Sequence, residues 1–540
     1  MSNNIFSKLF AKRAVLCFFV MMLFFLSCVL RVAVIAVSDY EQISIEQSRY
    51  KISISRLRGT IYDCNMVPLT NNKKSMYAAL TPTPQAIMQI SNTLEGIPLK
   101  TARDTLKNDK PLVCYVEKEI FGAGVETTTV YMRDTTDSTA CHLIGYTDST
   151  GRGVTGLELA YDEFLYSDKT VSAIFTTDGK GKVLRGIDPY FENDISVVLC
   201  GVVTTIDINI QRLVEKSISN LNSGCAIVAE VPSGKIRAMA SVPTFNIGNL
   251  AQSLTNTHSP LLNRALCAFN VGSVFKPSVA AVALENNFYF TFNCEGSTTI
   301  GDRAFKCHNL SGHGDMNLSD SLAQSCNCFF YNLALQIGST PIYKMANSLS
   351  LGIKIKIADN MYAQSGNVPK LNTLASDGAL ANLSIGQGSL TASPLAMLNL
   401  YLAIAGDGSY HIPSIVEKTI KDGAESYYDT GSPTRVMSSE TAGILREYLQ
   451  KVITDGTGTE AAPQHVTASG KTATAQTGRR DENGVEITNS WFCGFFPAQQ
   501  PEYVVIVMSD SKSSVSTSSV FAQITDEIVQ YTGKYSNFAD

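Results

Sequence analysis

The chain has 540 residues, more than one ordinary domain and enough for two or three. Hydrophobic residues make up 44% and charged residues 17%, which is a globular rather than a disordered composition. The net charge is −5, and Lys and Arg are scattered without the basic runs that follow a phosphate backbone. Nucleic acid is therefore excluded as an expected partner.

The first predicted element is an apolar segment near the N-terminus. Its residues 14–37 are uncharged except for Arg31, and they are numerous enough to cross a bilayer as a helix. No acidic residue precedes the segment, but three basic residues do: Lys8, Lys12 and Arg13. We predict a short cytoplasmic tail (1–13), a single-pass anchor in the cell membrane (14–37) and an extracytoplasmic remainder. A cleaved signal peptide is the alternative, but the run is long for one and lacks an A-x-A-like site before Ser38.

Two regions of different texture follow the anchor. Residues 40–198 alternate short β-rich runs with polar turns, which predicts an extended, β-rich domain with little helix. Residues 199–540 begin with a strand and an amphipathic helix for which Asp207 is a plausible N-cap, followed by two strands joined by a Pro-Ser-Gly turn. Helical stretches come next, and the chain closes with strand-like runs and a final helix. This order predicts an α+β domain whose sheet is completed by the C-terminal segment.

Thirteen cysteines are scattered through the chain. They form no CxxC pair, and Cys326-x-Cys328 is too tight for a usual zinc knuckle, so most are predicted to be small buried residues. Cys294 and Cys307 are the one pair considered for a local disulfide. The histidines show no ligand spacing, and we predict no metal and no cofactor, with His313 in a structural role.

The first motif that could support catalysis is Gly272-Ser273-Val274-Phe275-Lys276-Pro277. If Ser273 opens a helix, Lys276 lies one turn on, on the same face. A serine hydroxyl needs a base to act as a nucleophile, and a buried lysine with a lowered pKa can be that base. Ser-x-x-Lys alone occurs by chance in most long chains, and taken by itself it is better explained as a solvated helix start.

Two further motifs, later in the chain, contain residues that could assist a serine nucleophile. Ser325-Cys326-Asn327 lies in an apolar run, where a hydroxyl could relay a proton and an amide could bind a substrate carbonyl. Ser469-Gly470-Lys471-Thr472-Ala473-Thr474 is typical of a strand edge beside which a peptide can lie, with Lys471 supplying positive charge and Thr472 binding a carboxylate. A capped turn and a polar edge strand are the respective alternatives. The order S-x-x-K, S-x-N, K-T-x is the signature of penicillin-binding proteins and class A β-lactamases.

The sequence resembles the class B penicillin-binding proteins, the monofunctional D,D-transpeptidases that cross-link peptidoglycan. Shared landmarks run along most of the chain, and those of the N-terminal pedestal domain are missing from β-lactamases. They are Arg58-Gly59-Thr60-Ile61-Tyr62-Asp63, His142-Leu143-Ile144-Gly145, Gly156-Leu157-Glu158 with Tyr161, Asn263-Arg264-Ala265, Gly312-His313-Gly314, Ser384-Ile385-Gly386-Gln387-Gly388 with Ser393-Pro394, and Trp491-Phe492-x-Gly494-Phe495. The resemblance implies a pedestal (40–198) followed by a serine β-lactamase-like transpeptidase domain (199–540), with a central antiparallel sheet flanked by helices.

The resemblance also implies the residue roles. Ser273 would attack the penultimate D-alanine of a stem peptide or a β-lactam, and Lys276 would be its base. Ser325 and Asn327 would move the proton and hold the peptide, while Lys471 would keep the site positive. Thr472, Ala473 and Thr474 would contact substrate, and the backbone N–H groups of Ser273 and Thr474 would form the oxyanion hole. A membrane glycosyltransferase of the SEDS family is the implied partner.

Three departures from the family pattern bear on this assignment. Ala473 replaces the usual glycine and is expected to place a methyl group where substrate approaches. Val271 replaces a proline, and Cys64 and Met66 alter a turn of the pedestal. The alternatives are a D,D-carboxypeptidase, a β-lactam sensor or β-lactamase, and a penicillin-binding scaffold with weakened catalysis.

Overall fold

The computed structural model describes residues 3–37, 46, 48–193, 197, 200–480 and 482–534. The predicted boundary at 198/199 and part of the predicted tail lie outside these residues. Sixteen α-helices occur among them: α1 (Asn3–Val37), α2 (Pro84–Ser91), α3 (Gly96–Lys107), α4 (Cys141–Ile144), α5 (Gly156–Ala160), α6 (Asp162–Leu165), α7 (Ile208–Ile218), α8 (Leu250–Leu254), α9 (Lys276–Glu285), α10 (Leu318–Ala323), α11 (Asn327–Ile337), α12 (Ser339–Ser348), α13 (Asp377–Ser384), α14 (Pro394–Ala405), α15 (Ser439–Thr454) and α16 (Thr517–Thr532).

The strands are mostly short and are grouped in several sheets. They are β1 (Arg49–Arg58), β2 (Thr60–Tyr62), β3 (Lys73–Leu80), β4 (Leu112–Val116), β5 (Val125–Met132), β6 (Tyr166–Thr176), β7 (Tyr190–Glu192), β8 (Gly201–Thr204), β9 (Gly224–Glu230), β10 (Ile236–Val242), β11 (Phe269–Asn270), β12 (Phe292–Cys294), β13 (Ser297–Ile300), β14 (Arg303–Lys306), β15 (Gly314–Met316), β16 (Ile355–Ala358), β17 (Met361–Ala363), β18 (Thr391–Ala392), β19 (Ser409–Tyr410), β20 (Val416–Lys421), β21 (Ala424–Tyr427), β22 (Thr434–Arg435), β23 (Ser469–Arg480), β24 (Glu486–Phe496) and β25 (Tyr503–Ser509).

The chain divides into two compact units whose segments alternate in sequence. The first contains residues 1–56, 74–131 and 169–194, and the second contains 57–73, 132–168 and 195–540. The second unit gathers its distant segments because β2 pairs in parallel with β8, which joins β20 and β21 in one sheet. The pedestal predicted as one continuous stretch is thus shared between the two units.

The first unit begins with an apolar helix. Within α1, Lys8–Ala36 contains an 18-residue stretch with a mean hydropathy of 2.6, and α1 is the one helix of the described chain that is long and apolar enough to cross a membrane. The unit also contains the sheet β4-β3-β5, whose apolar face packs on α2 and α3. The little helix expected between residues 40 and 198 is therefore an underestimate, although strands still dominate that region.

The second unit is built on a five-stranded antiparallel sheet in the order β10-β9-β25-β24-β23. Both faces are covered, so alternate residues of one strand enter different cores. Cys225 and Ile227 pack with α9 and α14, whereas Ala226 and Val228 pack with α7 and α16. Burial on both faces explains why β9 and β25 are nearly continuous apolar runs, whereas the edge strand β23 is largely polar. As predicted, the C-terminal strand β25 completes the sheet beside β9.

Several sequence signals act as local boundaries. The Asp207 side chain accepts hydrogen bonds from the backbone of Asn209 and Ile210, as an N-cap should.

Two pedestal landmarks meet in the second unit, where buried Arg58 donates to Glu158 at 2.7 Å and Arg133 donates to the same carboxylate at 2.6 Å. Removing one partner of such a buried pair costs about 3–5 kcal/mol, so these landmarks have a structural role.

Candidate active site

The predicted nucleophile lies in a tight helical turn. Residues Gly272–Phe275 form a 3-10 turn that continues into α9, whose first residue is Lys276. Pro277 is tolerated in the first turn of α9 because an N–H there has no partner within the helix. Ser273 is half-buried, whereas the Lys276 side chain is fully buried one turn on. The predicted spacing of serine and lysine is therefore present in three dimensions.

The second motif supplies the partners of Lys276. Its Nζ donates to the Ser325 carbonyl oxygen at 2.7 Å, to Ser325 Oγ at 3.2 Å and to Asn327 Oδ1 at 2.7 Å. Burial lowers the pKa of Lys276 to about 7. A substantial fraction of this amine is then neutral near neutral pH, which a general base requires. Because the Ser325 hydroxyl can both donate and accept, it can also exchange a proton with the amine.

A backbone feature sets the direction of these partners. Ser325 has φ +54°, in the left-handed region that few residues other than glycine adopt. Asn327 begins α11, and Cys326 is the residue that caps it. The turn between α10 and α11 thus directs both polar side chains of the motif to one buried amine.

The third motif lies on β23, the edge strand of the central sheet. Lys471 is fully buried, and its Nζ donates to the Thr472 carbonyl at 3.2 Å and to Thr472 Oγ1 at 3.4 Å. Burial, and next the charge of Lys276, lower the pKa of Lys471 well below its ordinary value. The charge of Lys276 therefore disfavours a charge on Lys471. Thr474 is exposed on the same strand.

Ala473 differs from its sequence-based expectation. Its side chain is only 7% exposed and belongs to the buried core. A Cβ added to Gly272 would lie 3.3 Å from the Ala473 methyl and 3.0 Å from that of Ala475. The methyl group is therefore directed at the nucleophile turn rather than at the open side of the strand, and substrate contact at this position would involve the backbone.

Other residues that hold the nucleophile turn come from three separate segments. Gly386 accepts a hydrogen bond from the Gly272 N–H, and a side chain at Gly386 would collide with the Gly272 backbone. Buried Tyr401 donates to the Val274 carbonyl at 3.0 Å. Trp491 donates from Nε1 to the Asn270 carbonyl at 2.9 Å. The Gly386 and Trp491 landmarks thus support the turn, and no local pattern singled out Tyr401.

Thr457 is a further residue that sequence reasoning missed. Its Oγ1 lies 2.9 Å from Thr472 Oγ1, beside the strand edge. A groove of about 990 Å³ is lined by both threonines, Ala473 and Thr474, and continues past Trp491 to residues 509–518, but neither Ser273 nor Lys276 lines it. The arrangement can accommodate an extended chain along β23. The local signal for Thr457 was the Gly-Thr-Gly-Thr sequence at 456–459.

The one disulfide considered from the sequence, between Cys294 and Cys307, is not formed. Cys294 and Cys307 both have free thiols, as do the other cysteines of the chain. They lie with His313 and Cys326 in one cluster, with their sulfur and nitrogen atoms within 4.8 Å of one another. The prediction of small buried cysteines does fit others, such as Cys225 and Cys493, whose exposure is zero.

Comparisons with known proteins agree with this geometry. The family model of the penicillin-binding protein transpeptidase domain matches residues 224–530. Stage V sporulation protein D of Bacillus subtilis is 28% identical over 393 residues, which cover 68% of this chain and 58% of that protein. Peptidoglycan D,D-transpeptidase MrdA of Acinetobacter baumannii is 24% identical over 566 residues, which cover 88% of this chain and 81% of that protein.

A solved structure shows the fold. Penicillin-binding protein 3 of Mycobacterium tuberculosis, in complex with aztreonam, superposes with a TM-score of 0.65 at 23% identity, over 90% of this chain and 98% of that one. This likeness confirms the predicted α+β fold class. Together with the family match, it shows that the chain belongs to the penicillin-binding protein transpeptidase family and confirms the resemblance to class B members that its motifs indicated.

Proposed function

We propose that this protein is a peptidoglycan D,D-transpeptidase that works through a Ser273 acyl-enzyme and binds β-lactams covalently at the same serine. The observation that supports this most directly is the contact of buried Lys276 Nζ with Ser325 and Asn327, one helical turn from Ser273. The relatives named above are a D,D-transpeptidase and a sporulation protein, and the solved relative holds a β-lactam. They favour this function over a sensor.

The residues divide the reaction among them. Neutral Lys276 takes the hydroxyl proton of Ser273 while Ser273 Oγ attacks the carbonyl of the penultimate D-alanine. The proton is then delivered, through Ser325, to the departing amine of the terminal D-alanine. An amine from a second stem peptide reverses these steps and leaves with the acyl group. Asn327 holds the peptide, Thr472 binds its terminal carboxylate, and Lys471 keeps the site positive.

The developing oxyanion needs donors. The backbone N–H groups of Ser273 and Thr474 fill that role in this proposal, and one such donor is worth roughly 3–4 kcal/mol in acyl-transfer enzymes. Support comes from the position of Ala473 against Gly272, which brings β23 next to the nucleophile turn. The edge of β23 would take the peptide as an added strand.

Covalent labelling tests this function directly. The full chain in detergent is exposed to benzylpenicillin, and its intact mass is measured. One adduct that maps to the Ser273 peptide is expected, with none in Ser273→Ala. Ser278→Ala is the matched control, because Ser278 lies on the same helix with its hydroxyl bonded to the Phe275 carbonyl. No adduct on the wild-type chain at saturating drug would reject the proposal in favour of an inactive scaffold.

Product analysis separates transfer from hydrolysis. A stem-peptide mimic ending in D-Ala-D-Ala is supplied together with an amine acceptor. A transpeptidase gives the cross-linked product and free D-alanine. Release of D-alanine with only the shortened peptide would instead assign the chain as a D,D-carboxypeptidase.

The membrane topology is part of the proposal. Lys8, Lys12 and Arg13 before the apolar helix favour a cytoplasmic N-terminus and an extracytoplasmic catalytic unit. Protease added outside intact cells or spheroplasts should then degrade the catalytic unit, and protection of that unit would contradict the orientation. A SEDS-family glycosyltransferase is the proposed partner on the strength of the resemblance, and co-purification from membranes, lost when residues 1–37 are exchanged for an unrelated anchor, tests it.

A further inference from the structure

Four side chains with soft ligand atoms meet beside the second motif. Cys294 is the last residue of β12, Cys307 follows β14, His313 precedes β15, and Cys326 lies between α10 and α11. Their three Sγ atoms and the histidine nitrogen all lie within 4.8 Å of one another. We propose that these four residues bind one Zn²⁺ ion in a closed structural site that supports the active-site turn.

The distances suit a tetrahedral metal. Cys294 Sγ and Cys307 Sγ each lie 3.6 Å from His313 Nδ1, and Cys307 Sγ lies 4.0 Å from Cys326 Sγ. With Zn–S near 2.3 Å and Zn–N near 2.0–2.1 Å, ligand atoms in a tetrahedron are about 3.5–3.8 Å apart. These three pairs match a zinc site to within a few tenths of an ångström, and the other pairs, all within 4.8 Å, would have to close by at most about 1 Å. Three sulfurs and one imidazole nitrogen are the donor set of a common structural zinc site.

The backbone around the cluster holds the ligands without the metal's help. The His313 N–H donates to the Cys294 carbonyl at 2.9 Å, and the Cys307 N–H donates to Gly296 at 2.8 Å. Gly312 has φ +84°, and a side chain there would collide with the Cys294 carbonyl oxygen. These contacts bring together residues that are far apart in sequence, which is the preorganisation that a metal site needs.

Cys326 is unusual as a helix cap. Its Sγ accepts from the Phe329 N–H at 3.5 Å at the start of α11, a position where Ser, Thr, Asp or Asn is strongly preferred. A neutral thiol is a weak acceptor, whereas a metal-bound thiolate is a good one and gains from an N–H donor. The choice of cysteine at this cap is explained if the sulfur also binds the ion.

The burial of the three cysteines favours a metal that binds sulfur and nitrogen ligands. Cys294, Cys307 and Cys326 are at most 3% exposed, while His313 is half-buried and leaves a route of entry. Without a metal these buried cysteines remain neutral thiols, and zinc binding releases their protons and neutralises the thiolate charges inside the core. Cys328 is also buried, but its Sγ lies 3.9 Å from the Phe305 carbonyl and outside the set of four.

The position of Cys326 gives the site a role in the active site. Its two neighbours, Ser325 and Asn327, are the residues that bond to Lys276 Nζ, and Ser325 has the strained φ of +54°. A metal bond to Cys326 fixes the backbone between them. Cys326 is therefore a positioning residue, and because Cys328 lies outside the set of four, Cys326-x-Cys328 does not act as a zinc knuckle.

Metal analysis of the full chain tests the site. The protein is purified in detergent without chelators, and its zinc is measured by mass spectrometry together with its intact mass. We expect about one zinc ion per chain and four unmodified ligand residues. The double variant Cys294→Ser/Cys307→Ser should lose the zinc. Cys225→Ser, which changes an equally buried cysteine of β9 outside the cluster, should keep it.

Wild-type measurements keep the test decisive if the double variant fails to fold. Zinc is exchanged for Co²⁺, and the thiolate charge-transfer and tetrahedral d–d bands are expected in the absorption spectrum. Absence of bound metal with free thiols would overturn the proposal, as would an intact mass that shows a disulfide among these cysteines. The result is independent of the proposed function, because a chain that binds zinc but forms no penicillin adduct would retain the site and reject only the catalytic assignment.

Discussion

The two sides of the candidate active site are stabilised in different ways. The strand side, β23, bonds along most of its length to β24 within a five-stranded sheet buried on both faces. The turn side, residues 292–328, contains only the two-stranded ladders β12–β15 and β13–β14 and one short helix. An isolated two-stranded ladder is marginal in water, so a local cross-link would stabilise this side more than the sheet. The cluster of Cys294, Cys307, His313 and Cys326 thus lies in the less stabilised of the two sides, next to the residues that contact Lys276.

The largest effect is expected from removing the base, Lys276, whose hydrogen-bond partners lie on the turn side. Lys276→Met keeps the length of the side chain but cannot accept a proton, and should slow acylation by benzylpenicillin by roughly 10²–10⁴-fold. The acylation rate is measured with a fluorescent penicillin, and thermal unfolding checks that the protein is folded. Lys344→Met, at an exposed position of α12, is the matched control. Near-wild-type acylation of Lys276→Met would remove this residue from the mechanism.

Removing the metal should destabilise the turn side much more than the strand side. We expect amide hydrogen exchange in residues 292–328 to accelerate by roughly 100-fold when zinc is stripped from the full chain, because structural zinc contributes folding free energy locally. Exchange in β23–β25 should change little. Equal loss of protection on both sides would show that the cluster supports the whole unit rather than the turn side.

The pH dependence of acylation tests the environment of Lys276. Its pKa of about 7 means that the neutral, reactive amine grows from a small fraction at pH 6 to most molecules at pH 8. The acylation rate should therefore rise with pH by about tenfold over that interval. Stopped-flow acylation at a fixed ionic strength measures it. A rate that is flat or falls with pH would show that the ammonium form is the active one.

The smallest effect is expected from Ala473→Gly on the strand side. Loss of the methyl packed near Gly272, together with the flexibility of glycine in a strand, should lower the free energy of unfolding by about 1–2 kcal/mol. Acylation should change by only a few-fold. Gln476→Gly, at an exposed position of β23, measures the glycine cost alone. A large gain in acylation without loss of stability would instead mean that the methyl obstructs substrate.

Much of this site could be predicted because its signals are local. Ser273 and Lys276 are one turn apart on a helix, so their spacing alone indicates a shared direction, whereas Ser325 and Asn327 converge on Lys276 through the turn at Ser325. The strands of the central sheet were predictable because both faces are apolar. The roles assigned to these residues stay predictions until acylation is measured.

The remaining features could not be predicted from the sequence because they depend on contacts between separate segments of the chain. The four residues of the proposed zinc site meet because β12 pairs with β15 and β13 pairs with β14. No short sequence motif predicts these pairings. The direction of the Ala473 methyl depends on strand register, and a shift of one residue would reverse it. The alternation of the two units likewise follows from the pairing of β2 with β8, which are separated by the whole pedestal sequence.

The chain contains a single tryptophan, Trp491, which is fully buried, lies opposite Ala473 in the sheet and bonds to the Asn270 carbonyl three residues before Ser273. Every photon of indole emission therefore originates beside the nucleophile turn. Events at the serine can be followed by intrinsic fluorescence in the unmodified protein, without an introduced dye and without background from other indoles.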